Sequence, residues 1–271
     1  MSKQNSDGKR SARERLQEQR LRDESRDRRK RTLIAAGAVI AVLGAGTGVA
    51  VLVAGSKDKG HNTPVAGPPV APQGTQGKDH AAIPVGKAAA AATLVVYEDF
   101  RCPACGLFEN AYRSTIHSLE DEGKLKAEYH IVTLIDKNLG GKGSVNAANA
   151  AACAQDAGKF SAYHDVLYQN QPVETDDAFA AKSRLVQLAD KVQGLNTPVF
   201  QKCVDEGTHD SWVQRNQAAF AKSGYKATPT VLLNGKSIYA DPAHPLTPAK
   251  LRQMAAAAGA AKRTPAAEGE D

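Results

Sequence analysis

From Thr32 to Ser56 the chain carries no charged side chain, and this run divides everything else in the sequence. As a helix, Leu33–Ala54 would span roughly 33 Å at 1.5 Å per residue, enough for a hydrocarbon core of about 30 Å. The run is richer in Ala, Gly and Val than in Leu, so its hydrophobic drive is moderate. It exceeds the roughly 7–15-residue apolar region of a secretory leader. An uncleaved anchor is therefore the expected reading, with Val53-Ala54-Gly55 keeping cleavage open. No cysteine follows the run to carry a lipid.

Charge sets the orientation. The chain's net charge is +6, and residues 1–32 hold all of that excess, with twelve Lys/Arg against six Asp/Glu; the remainder holds 23 of each sign. A basic flank on one side of a span predicts a cytoplasmic N-terminus with the bulk of the chain outside, and the tail near anionic headgroups. Because the excess is confined to a tail interleaved with acids, it gives no argument for a nucleic-acid partner. The expected organisation is a basic cytoplasmic tail at 1–31 and a transmembrane helix at 32–55. A Gly/Pro-rich flexible linker at 56–87 follows, then one folded domain at 88–260 and a disordered tail at 261–271. The expected location is the cell membrane, single-pass, with the folded domain extracytoplasmic.

Within the domain, Thr93–Tyr97 reads as a buried strand. Pro103 opens a helix that Gly123 ends, with Leu107, Phe108, Ala111, Tyr112, Ile116 and Leu119 expected on one face. Lys124–Ile135 alternates as a second strand, and Ser144 to about Ala221 is mostly helical. Thr230–Leu233, Asn234-Gly235 and Ser237–Tyr239 form a hairpin. Thr247 caps a last helix running to about Ala258. The order is β-α-β, helices, β-hairpin, α.

The chemistry concentrates in Cys102-Pro103-Ala104-Cys105, between a strand and a helix start. A helix N-terminus, with its unsatisfied N–H groups, favours a thiolate at Cys102. The two-residue gap lets the sulfurs close a small ring, or lets Cys105 attack a mixed disulfide on Cys102. The expected roles are Cys102 as exposed nucleophile and Cys105 as buried resolving thiol. Half of a zinc site would need a second close pair, but Cys153 and Cys203 stand apart; no metal is expected. Covalent haem would need His at position 106, which is Gly. A structural C-x-x-C disulfide would close little chain entropy. His164 and His117 are read as a helix-packing residue and a residue without a role, and Trp212 and Phe220 as core.

The segment Tyr97-Glu98-Asp99-Phe100-Arg101-Cys102-Pro103-Ala104-Cys105 resembles the active-site segment of DsbA-like thiol–disulfide oxidoreductases, in their membrane-anchored bacterial form. Ala227-Thr228-Pro229-Thr230-Val231-Leu232-Leu233 resembles the family's cis-proline loop and following strand. The stretch from Asn146 to Ala154, with Phe160 and Tyr163-His164-Asp165, resembles its helical insertion. The resemblance implies a thioredoxin-like α/β fold with a helical insertion at about 143–212. It also implies a cis bond before Pro229, with Thr228 and Pro229 shaping a substrate groove. Cys153 and Cys203, outside the cytoplasm, are expected to form a structural disulfide; a free core thiol and a second redox pair stay open.

Two departures stand out. Ala104 replaces the His common in oxidising members, and Val96 occupies the position of the buried acid of many thioredoxin-like proteins. Glu98 and Asp99 are possible proton acceptors for Cys105, or surface groups salt-bridged to Arg101. A helix terminus is worth at most about 2 kcal/mol and neighbouring carboxylates oppose it. A Cys102 pKa of about 5–6.5 is therefore expected, above the roughly 3.5 of the strongest oxidant of this type.

By this resemblance the chain is expected to introduce disulfides into unfolded or cysteine-containing secreted proteins, as a monomeric oxidase without cofactors. Its reoxidation is expected from a quinone-linked membrane protein of the DsbB or vitamin K epoxide reductase type. The alternatives are a reductase, for example for cytochrome c maturation, an isomerase, or a non-catalytic tethered binding or chaperone module.

Overall fold

A computed structural model describes residues 69–239 and 244–263. The tail, span and distal end expected from sequence lie outside the described residues. Among the described residues no helix is long and apolar enough to cross a membrane.

Five strands form one sheet in the order β1-β3-β2-β4-β5. They are β1 (Ile83–Gly86), β2 (Ala92–Glu98), β3 (Leu125–Ile131), β4 (Thr230–Leu233) and β5 (Lys236–Ser237). β2 and β3 are parallel, Ala92 opposite Leu125 through Glu98 opposite Ile131. Parallel neighbours need a crossover, supplied by α1 (Pro103–Asp121). β1 lies antiparallel to β3, and β4 antiparallel to β2. The β4–β5 turn is Asn234-Gly235, with φ of 48° and 80°. Two left-handed residues in succession are what a tight hairpin with native strand twist requires.

Between β3 and β4 come α2 (Leu134–Leu139), α3 (Gly143–Asp156), α4 (Phe160–Gln169), α5 (Lys182–Ala189), α6 (Pro198–Glu206) and α7 (Asp210–Lys222). α8 (Pro248–Arg263) follows the hairpin and packs on α1. Thr247 Oγ1 accepts from the Lys250 amide at 3.1 Å at its start. α3 is the insertion's hub, touching α4, α6 and α7. Its buried residues include Ala147, Ala148, Ala150, Ala151, Ala152 and Ala154, small enough to let three helices approach. This is a thioredoxin-like α/β fold with a helical insertion.

Several boundaries move. The insertion begins at Leu134 rather than 143. α7 runs past 212 to Lys222 and packs on β3, returning the chain to the sheet. The second strand stops at Ile131, where the chain turns into α2. The linker expected through residue 87 ends earlier, because β1 is an edge strand. Upstream of it, Trp212 Nε1 donates to the His80 carbonyl at 2.7 Å and Asn216 Nδ2 to that of Ala81 at 3.1 Å. On α1, Phe108, Tyr112, Ile116 and Leu119 are buried as expected, but Leu107 and Ala111 face solvent, and Cys105 and Glu109 join the buried face.

Candidate active site

β2 delivers Glu98 and Asp99 to the lip of the sheet, and the chain then turns through Phe100 and Arg101 into α1. Cys102 is the N-cap of that helix with extended backbone, and Pro103 occupies its first turn, where no N–H is missed. The turn is closed by the Cys102 amide donating to the Asp99 carbonyl at 3.0 Å. Both Asp99 carboxylate oxygens are spent on backbone, Oδ1 on the Arg101 amide and Oδ2 on the Ile135 amide, each at 2.8 Å.

Cys102 and Cys105 are free thiols, and neither is exposed: Cys102 keeps 6% of its surface and Cys105 none. The Cys102 expected in the open is covered because the loop before β4 folds over it. The Cys102 thiol donates to the Thr228 carbonyl at 3.3 Å, and the Thr228–Pro229 bond is cis. The two sulfurs are electrostatically unlike. A hydrogen bond from Cys105 outweighs burial and holds Cys102 down, to about 7. That lies just above the expected 5–6.5, because burial of the sulfur opposes the hydrogen bonds that lower it. Burial, then the Cys102 sulfur and Glu98, push Cys105 well above an ordinary thiol.

Glu98 and Asp99 are fully buried, and no ion pair joins either to Arg101. Glu98 Oε1 meets His164 Nε2 on α4 at 2.7 Å, so the residue read as helix packing also pairs with an acid. Among the described residues two groups come close enough to hold a metal ion. In Cys153, Cys203 and His209 the sulfurs are bonded to each other; in Glu98, Glu109 and His164 the ring nitrogen is engaged by Glu98. Cys153 on α3 and Cys203 on α6 form the disulfide, with Cα atoms 5.9 Å apart.

The family profile described as thioredoxin matches residues 78–255. The chain belongs to the thioredoxin family, in its DsbA-like branch. It is similar to oxidised DsbA of Mycobacterium tuberculosis, with 30% identity over 64% of this chain and 90% of that one and a TM-score of 0.55. A reduced disulfide oxidoreductase (DsbG) from the same organism shares 29% over 66% and 87%, with a TM-score of 0.56. Disulfide bond formation protein D of Bacillus subtilis is 27% identical over 157 residues, 57% of this chain and 68% of its own. The chain is thus a thiol–disulfide oxidoreductase, and cysteine-containing proteins are its substrates.

In this DsbA-like chain two more residues frame the cysteines: Gln171, unmarked in the sequence, and Arg101, whose partners are not the expected Glu98 and Asp99. Arg101 is 2% exposed. Its guanidinium pairs with Asp136 at 2.6 Å and Asp177 at 3.0 Å and donates to the carbonyls of Gly140 at 2.9 Å and Glu174 at 3.1 Å. It locks the residue before Cys102 to the insertion. Gln171 Nε2 donates to the carbonyls of Phe100 and Cys102, each at 2.9 Å. Its Oε1 occupies the space a Cβ at position 106 would take, so a side chain there would push the Gln171 amide aside. The only advance signal was an arginine directly before a cysteine, and its partners lie 35 residues or more away.

Proposed function

We propose that this chain is a membrane-anchored, extracytoplasmic oxidase of the DsbA type that introduces disulfides into secreted or membrane proteins. Cys102 is the sulfur attacked by the substrate, and Cys105 leaves and later resolves. Thr228 and Pro229 shape the groove in which an extended substrate chain pairs with backbone, as in strand addition. Glu98 is the proton acceptor for Cys105. Asp99 shapes the turn instead, because both its oxygens hold amides. The carrying observation is the asymmetry of the two thiols, one near 7 and one far above it, since Cys102, the lower thiol, is the better leaving group when the second substrate thiolate breaks the mixed disulfide.

Anchoring through Thr32–Ser56, with the basic tail in the cytoplasm, keeps the domain beside emerging chains. It also keeps it near a quinone-linked reoxidase of the DsbB or vitamin K epoxide reductase type. The domain works as a monomer. One observation favours a reductase as second reading: a Cys102 thiol near 7 equals that of thioredoxin, about 7. Equilibrating the Cys102–Cys105 pair with glutathione decides between them. A potential near −180 mV or above, toward about −120 mV, supports the oxidase; one near −270 mV makes it a reductase.

A further inference from the structure

The helical insertion reaches the backbone of Cys102 through Gln171, which follows α4. Its Nε2 donates to the carbonyls of Phe100 and Cys102, each at 2.9 Å. Both partners only accept, so the atom between them is a nitrogen, and the side chain that fits is an amide. The two carbonyls bracket the turn that carries Cys102 into α1. The Cys102 carbonyl also takes the Gly106 amide at 3.1 Å. Both of its lone pairs are thereby used. Phe100 is fully buried, where a carbonyl without a donor is costly.

The residues on either side hold Gln171 in place. Asn170 closes the end of α4, its amide donating to the Val166 and Leu167 carbonyls at 3.1 and 3.2 Å. The Asn170 side chain donates to the Val166 carbonyl at 2.7 Å and accepts from Lys191 Nζ at 2.8 Å. Pro172, next in the chain, disfavours helical backbone at Gln171. On α1, Gly106 lies within the helix and outside the left-handed region, where alanine would suit the helix better. The Cβ that alanine adds would meet the Gln171 amide.

The Cys102 thiol is turned to the Thr228 carbonyl at 3.3 Å, and Cys105 hydrogen-bonds it. The Asp99 carboxylate opposes charge on the sulfur, and the Tyr239 phenol beyond β5 feels that charge. Gln171 brings no charge of its own and acts on peptide dipoles. A carbonyl bonded to a donor has its negative end offset, so it opposes a nearby thiolate less.

We propose that Gln171 is a positioning residue for Cys102: by holding the Phe100 and Cys102 carbonyls it offsets their negative ends and favours the thiolate that substrate exchange releases. The inference rests on Cys102 as the sulfur that exchanges with substrate. In that step the substrate's second thiolate attacks the substrate sulfur of the mixed disulfide. A disulfide forms within the substrate, the Cys102–substrate bond breaks, and the bonding pair leaves on Cys102 Sγ. A better-held thiolate leaves faster and stabilises the reduced form.

The test titrates Cys102 by thiolate absorbance between pH 5 and 9, in full-length protein reduced at Cys102 and Cys105. The same protein is equilibrated with glutathione at pH 6 and pH 8. Gln171→Leu removes the donor and keeps most of the bulk. It is expected to raise the Cys102 midpoint by about one unit. The glutathione equilibrium then shifts toward the bridged form about fivefold at pH 8. At pH 6, where a thiol near 7 is mostly protonated, it shifts less than about 1.5-fold. Gly106→Ala keeps Gln171 and favours the helix, yet its Cβ displaces the amide, the far end of a flexible side chain. A similar rise is expected, and the two changes together should shift no further than either alone. Native titration in both folded variants overturns the proposal, as does an equilibrium shift of equal size at pH 6 and pH 8. Should Gln171→Leu fail to fold, Gly106→Ala decides alone. If the native protein does not exchange with glutathione, the redox reading fails, while the titration still decides what Gln171 does to the sulfur.

Discussion

The two cysteine pairs differ in separation, surroundings and energetic weight. Cys102 and Cys105 sit one helical turn apart with only two residues between them. Cys153 and Cys203 are 50 residues apart and join two helices of the insertion. Closing a 50-residue loop removes about 4 kcal/mol of chain entropy from the unfolded state, while a ring of a few residues removes little. The distant bridge therefore holds structure, and the near one opens and closes at small cost to the fold. Arg101 ties the two regions together, since it precedes Cys102 and pairs with Asp136 and Asp177.

The largest effect is expected at the near pair. Cys102→Ser should lower oxidation of a dithiol peptide by at least about a thousandfold, because Cys105 has no exposed surface and Cys153 and Cys203 are bonded to each other. Its thermal midpoint should stay close to that of the reduced native protein. Retained activity in that peptide assay would return the chain to the non-catalytic binding class.

Arg101→Met comes next. It leaves Asp136 buried without its cation, and breaking such a pair costs about 3–5 kcal/mol. Urea denaturation of the reduced protein measures it. A loss under about 1 kcal/mol would mean that the tie between the regions is screened by solvent and holds nothing. Replacing both Cys153 and Cys203 by Ala should cost about 4 kcal/mol or less in the same measurement. Dithiol oxidation should stay within twofold. A large fall in exchange rate with little loss of stability would make this second pair a redox relay rather than a staple.

How much of this could be read in the sequence follows from how local each feature is. The proline at the start of α1, the Asn234-Gly235 turn and the Thr247 cap are set by neighbours within four residues, and each sits where local chemistry places it. β1 escaped notice because Pro84 interrupts it, and an edge strand tolerates a residue without an N–H. The inner face of α1 holds Phe108, Tyr112, Ile116 and Leu119 as expected and differs at its edge, because apolar periodicity turns Leu107 inward and Glu109 outward. The reverse holds since Glu109 meets His164 from a helix 55 residues downstream. The charge of Arg101 and the burial of Glu98 likewise depend on partners that only the folded insertion supplies.

The smallest effect separates the two thiols of the near pair from ordinary ones. With Cys102 at about 7, raising the pH from 7 to 8 takes its thiolate from half to about nine-tenths, so iodoacetamide alkylation of the reduced protein should rise only about twofold. An ordinary thiol near 8.5 would gain about eightfold over the same step. Cys105, without exposed surface, should stay unlabelled throughout. The signs carry into stability. Cys102, lowered on folding, contributes to the reduced form above its unfolded value and loses that contribution as pH falls through about 7. Cys105, raised on folding, contributes below about 8.5 and loses its contribution as pH climbs beyond it. The bridged form has neither dependence, so the reduced form should lose stability relative to the bridged form on both sides of that window. An eightfold rise in alkylation would put Cys102 among ordinary thiols and remove the asymmetry on which the oxidase reading stands.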